Sequence, residues 1–162
     1  MEIFEIQSRM IEASEGNLHD VAHFMKVWGY ARLIGRLERL APEDQYLLEA
    51  AAVVHDIACP LCREKYGNTE GRLQELESPE LISRFFAGSD LAPEQLERIS
   101  LLVSHHHTWL PSLGEDHQIL LEADYLVNAD ESGFSRENLL NTRDRLFRTA
   151  SGKALLNSLY RL

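Results

Sequence analysis

A chain of 162 residues accommodates one domain with one core, because domains run to roughly 100–200 residues and divide only well above that. Hydrophobic residues at 44%, charged residues at 26%, and only 9 Gly and 5 Pro exclude a disordered chain or a fibrous repeat. The formal net charge of -10, with no basic patch to offset it, argues against a nucleic-acid partner. No stretch approaches the ~20 apolar residues of a membrane span. The N-terminus Met1, Glu2, Ile3, Phe4, Glu5 lacks the cationic and apolar regions of a signal peptide, so the expected location is the cytoplasm.

Apolar residues recur at spacings of three and four almost throughout, and no alternating window competes as a strand. The expected fold is therefore all-α, a single compact domain of six or seven helices. The first helix covers residues 3–13. Asn17, with Asp20 three positions later, reads as an N-cap opening a helix to about residue 40. Residues 41–44 restart a helix carrying Tyr46, Leu47, Leu48, Ala50, Ala51, Ala52, Val53 and Val54, apolar nearly all round as in a buried central helix, and it ends in His55 and Asp56. From 57 to 71 the periodicity lapses, with Pro60, Gly67, Asn68 and Gly71 as breakers, which predicts the longest irregular loop of the chain. Helical patterns resume at 73–86, 93–107, 117–130 and 137–162.

Asp56 follows an apolar run, and Asp124 sits inside another, Ile119 to Val127. A carboxylate on such a face must be paired, hydrogen-bonded or bound to a metal, and histidines nearby favour a metal. The doublet His19–Asp20 is different, because Asp20 has a local role at the start of its helix. His23, Lys26, Val27 and Tyr30 share one helical face. Taken alone, His23 reads as a core histidine satisfied by a backbone carbonyl. What shifts the reading is the ordered set His23, His55, Asp56 and Asp124, spread over three helices.

This set, with HFMKV from His23, AAVVHDIA around His55 and Asp56, SHHHT around His105 to His107, and EADYLVNA around Asp124, resembles the HD-domain superfamily of metal-dependent phosphohydrolases over about residues 18–128. The segment KYGNTEGRLQELESP, residues 65–79, looks like that of a poorly characterised bacterial branch. The resemblance implies that His23, His55, Asp56 and Asp124 hold one divalent ion, with His55 and Asp56 the catalytic doublet. Mixed nitrogen and oxygen ligands suit Mn, Fe, Co, Ni or Zn. Metal-activated water would then attack the phosphoester of a small molecule, a nucleotide among the candidates.

His106 and His107 are candidates for a second ion or a phosphate contact, because dinuclear members use extra histidines between the doublet and the last Asp. His106 continues the buried face of Ile99, Leu102 and Val103 and is expected to point inward. No histidine lies between Asp56 and Ser104, which argues against a full second site unless Glu75 or Glu77 substitutes. Lys26 and Lys65 are the favoured substrate-binding cations, ahead of Arg63 and Arg72. Cys59 and Cys62 form a CxxC without a βαβ context or further zinc ligands, and read as incidental.

The expected partner is a small phosphorylated substrate, not a membrane. Some members carry an acid just after the doublet, where this chain reads Ile57, Ala58, Cys59, Pro60. That gap keeps a rival open, a non-catalytic nucleotide- or metal-sensing module on the same scaffold. A third class, metal-dependent oxygen chemistry, needs a redox di-iron site, against which the missing histidine argues.

Overall fold

The computed structural model describes residues 1–162. Local chemistry starts its helices much as the sequence suggests. Asn17 Oδ1 accepts a hydrogen bond from Asp20 N at 3.1 Å, capping α2 (Leu18–Leu37) after α1 (Ile3–Ala13). Proline opens both α3 (Pro42–Val54) and α6 (Pro93–Val103), where its missing N–H costs nothing. The remaining helices are α4 (Cys59–Tyr66), α5 (Gly71–Phe85), α7 (Glu115–Glu131), α8 (Arg136–Arg145) and α9 (Ala150–Tyr160). There is no strand, and no helix is long and apolar enough to cross a membrane.

Nine helices replace the expected six or seven. One extra comes from the supposed loop at 57–71. Pro60 sits at the second position of α4, a place where proline starts a helix instead of breaking one, and Gly67 closes α4 in the left-handed conformation at φ 71°. The other comes from 137–162, which divides at residues 146–149 into α8 and α9. Phe147 is fully buried there and Thr149 caps α9, its Oγ1 accepting from Gly152 N at 2.9 Å.

α3 is the centre of the fold, packed on α1, α2, α6 and α7. Its consecutive Ala50, Ala51 and Ala52 have no exposure, which keeps α3 slim where its neighbours close on it. α7 is buried over most of its length and packs on α2 and α3. One apolar cluster extends from Ile6 on α1 to Leu156 on α9. The mutually packed helices α2 and α7 carry His23 and Asp124, and α3 ends directly at the His55–Asp56 doublet, so the core that hides their apolar faces also sets the spacing of these polar side chains.

Candidate metal centre

Each imidazole of the cluster has one nitrogen spoken for. His55 Nδ1 donates to Ala52 O at 2.8 Å and His106 Nδ1 to Val103 O at 2.7 Å, each reaching back three residues at the end of its helix. His23 Nδ1 lies 2.8 Å from Glu131 Oε2, so its proton is shared with a carboxylate one turn past the end of the apolar run on α7. These bonds place a proton on each Nδ1 and turn each Nε2 towards the Asp56 carboxylate, His23 and His55 to one oxygen and His106 to the other, as metal-binding histidines require.

There the Nε2 atoms of His23 and His55 are 3.1 Å apart. Asp56 Oδ2 lies 3.3 Å from His23 Nε2 and 3.5 Å from His55 Nε2, and Asp124 Oδ1 lies 3.2 and 3.5 Å from the same two atoms. Asn128 Nδ2 donates to Asp124 Oδ1 at 2.8 Å from one turn along α7. The structure thus brings the four residues of the ordered set into one cluster. A second group shares Asp56: its other oxygen, Oδ1, is 3.4 Å from His106 Nε2, and His107 completes a trio with both. That trio needs nothing from residues 57–104, so the missing histidine is not a gap in it.

Burial of His106 is nearly complete, yet its Nε2 has no hydrogen-bond partner. A buried orphaned nitrogen facing a carboxylate is expensive in a folded protein and is the donor a divalent ion would satisfy. Gly71, the first residue of α5, makes room beside it. A Cβ there would lie 2.7 Å from His107 Cγ and 2.9 Å from its Cβ, atoms too close to the backbone to move aside.

The electrostatics follow from the crowding of unlike charges. Burial would raise the Asp56 carboxyl, but the imidazoles of His55, His106 and His23 hold it well below the usual range. Asp124 is likewise lowered, against burial, by hydrogen bonds from His23 and His55. Burial would lower His55, yet Asp56 and Asp124 push it up to about 9, and His23 is raised in the same way. Protons on the imidazoles serve the carboxylates that a metal ion would serve in their place.

Other residues singled out in the sequence lie elsewhere. Lys26 Nζ pairs with Glu131 Oε1 at 2.6 Å and so supports His23 through Glu131 without meeting the cluster. Lys65 Nζ pairs with Glu77 Oε1 at 2.6 Å, Arg63 with Asp20, and Arg72 with Glu70 at 3.0 Å. Glu75 accepts from His107 N at 3.1 Å and from Thr108 Oγ1, so neither Glu75 nor Glu77 is a donor to the second trio. His117 is buried and satisfied by His105 O at 2.9 Å and Leu113 N at 3.3 Å. His19 is largely exposed, 3.8 Å from Glu131. Cys59 and Cys62 are buried, unbridged thiols, and burial pushes both up, away from reactive thiolate.

Glu131 and Asn128 are the participants that sequence reasoning missed. Both continue the face of Asp124 along α7, at spacings of seven and four, which is the signal that could have found them. No curated protein and no solved structure matches the chain. The family model described as HD domain matches residues 20–131, from the first turn of α2 to the glutamate that holds His23, and the chain belongs to the HD-domain family.

Proposed function

We propose that this centre belongs to a metal-dependent phosphohydrolase that cleaves the phosphoester of a small molecule, with nucleotides among its substrates. Metal-dependent hydrolysis is the general activity of the HD-domain family. The observation that carries the reading to this chain is the orphaned, buried His106 Nε2 facing an Asp56 carboxylate whose other oxygen faces His23 and His55. His106 spends its Nδ1 on Val103 O and aims its Nε2 at Asp56 Oδ1, so that one carboxylate faces nitrogens of both groups.

His23, His55, Asp56 and Asp124 would hold one divalent ion, drawn from Mn, Fe, Co, Ni or Zn. Asp56 Oδ1, His106 and His107 would hold a second, or a phosphate oxygen. Ions bound there supply Lewis-acid stabilisation of charge on the phosphoryl oxygens and a water of lowered pKa. The chain's own residues do the rest. Glu131, Ala52 O and Val103 O hold the imidazoles in the tautomer that keeps Nε2 unprotonated when a metal is present. Asn128 orients Asp124, and Gly71 admits the His107 ring at the exposed rim, where a substrate arrives.

The test is phosphate release from nucleotides and small phosphomonoesters with Mn, Co, Ni, Mg or Zn added, wild type against Asp56→Ala. Wild type should release phosphate only with metal, and Asp56→Ala should release none while keeping its helical circular dichroism. Full turnover by Asp56→Ala sinks the assignment. Tight nucleotide binding without release under every metal replaces it with a sensing module.

A further inference from the structure

A cavity of about 200 Å³ opens against the metal-proposed residues on the side of α7. His106, His107 and Asp124 are among the residues that line it, and Trp109, Tyr125 and Phe134 supply its aromatic walls. We infer that this cavity is the subsite for the nucleobase of a nucleoside phosphate whose phosphate lies at the metal centre. The inference rests on the phosphohydrolase reading above and adds to it the part of the substrate that the centre itself does not recognise.

Three observations carry it. Size is the first: whole drug-sized ligands occupy roughly 300–1,000 Å³, so about 200 Å³ suits one ring system and not a complete nucleotide. Wall chemistry is the second. No lysine or arginine lines the cavity, so it does not attract the phosphate, whereas aromatic rings stack on any planar base. The walls are also held before a ligand arrives. Tyr125 Oη donates to Asn138 Oδ1, and both Tyr125 and Trp109 pack on the fully buried Phe147, with ring centroids 5.6 and 6.1 Å away. The third is a polar edge. Asn128 lines the cavity and gives its Nδ2 to Asp124, which turns its Oδ1 into an acceptor for an exocyclic amino or ring N–H group of a base. Through Asn128 the base contact and the metal-proposed Asp124 are joined by one side chain.

The experiment uses the Mn-loaded protein with AMP, GMP and ribose 5-phosphate. It reads binding by quenching of Trp109, with Trp28 alone reported by Trp109→Phe, and reads phosphate release in parallel. Nucleotides should bind about 5- to 160-fold more tightly than ribose 5-phosphate, the range that stacking on an aromatic supplies. Phe134→Ala removes a wall, and Ser132→Tyr, at an exposed position on the cavity rim, fills the space without touching the core. In each variant the ratio of nucleotide to ribose 5-phosphate affinity should fall towards unity. Equal affinity of wild type for the two classes overturns the subsite, as does a ratio that neither variant changes, or a preference for phosphocholine, which an aromatic box also accepts. The two readings fail separately. Base-dependent binding with no phosphate release under any metal defeats the hydrolase and keeps the subsite, whereas release from ribose 5-phosphate as efficient as from AMP keeps the hydrolase and defeats the subsite.

Discussion

His23 shows how much a single atom beyond the cluster decides. Its Nδ1 is 2.8 Å from Glu131 Oε2, and Glu131 is in turn fixed by Lys26 at 2.6 Å, so a lysine at the surface sets the orientation of an imidazole that is buried. Carboxylate partners of this kind tune metal ligands by about 10- to 100-fold in affinity. Glu131→Ala should therefore weaken metal binding by that factor, read by competition with a chromogenic chelator, with helical content unchanged. An unaltered affinity would show that His23 is held by its packing alone. Gly71 works by absence. Gly71→Ala places a methyl 2.7 Å from the His107 ring, so it should lower metal content per chain, measured by elemental analysis, while a first ion remains at His23, His55, Asp56 and Asp124. Unchanged metal content would remove His107 from the ligand set.

At the scale of helices, the division between α8 and α9 depends on one residue of α7. Glu122 is fully buried, and its carboxylate accepts from Gln118 Nε2 at 2.8 Å, from the backbone of Arg148 at 2.6 Å and Thr149 at 3.0 Å, and from Thr149 Oγ1. Gly152 is required there because any Cβ would collide with Glu122 Oε2. Glu122→Ala leaves several buried donors without a partner, an expected cost of about 3 kcal/mol. That corresponds to a melting temperature lower by roughly 6–12 °C for a domain of this size, measured by thermal denaturation. A loss within experimental error would mean that water replaces the carboxylate. This contact also explains why the helix boundary was illegible. Residues 137–162 have helical periodicity throughout, and what ends α8 is a side chain some 25 residues earlier in the sequence. The starts of α2, α3 and α6 were legible because their cause is local, an Asn cap or a proline in the first turn. Pro60 misled for the same reason: as a residue it signals a break, and only its place at the second position of α4 makes it a start. Of the site, the residues carried by motif were legible, while Glu131, Asn128 and the aromatic walls depend on which face of α7 meets α2 and the α6–α7 connection.

Across the whole molecule, the fold gathers charge where it can least be solvated. Asp56 and Asp124 stand side by side between α2, α3 and α7 in a chain already at -10, and the lysines and arginines nearest the site are paired with other acids. Inside the protein they are offset by three imidazoles, one of which has an orphaned nitrogen, and by the Asn128 amide on Asp124. A divalent ion that neutralises both carboxylates should thus stabilise the packing of all three helices together, not a local loop. Ligand that binds only the native state adds about 2.7 kcal/mol at a hundredfold excess over its Kd. For a domain of this size that is a rise of roughly 5–10 °C in melting temperature. Mn, Co, Ni or Zn should produce it in wild type, a chelator should reverse it, and Asp56→Ala should show none, because both groups of donors share that carboxylate. A rise of the same size in Asp56→Ala would place the ion elsewhere and leave the buried cluster as a network of protonated imidazoles and carboxylates.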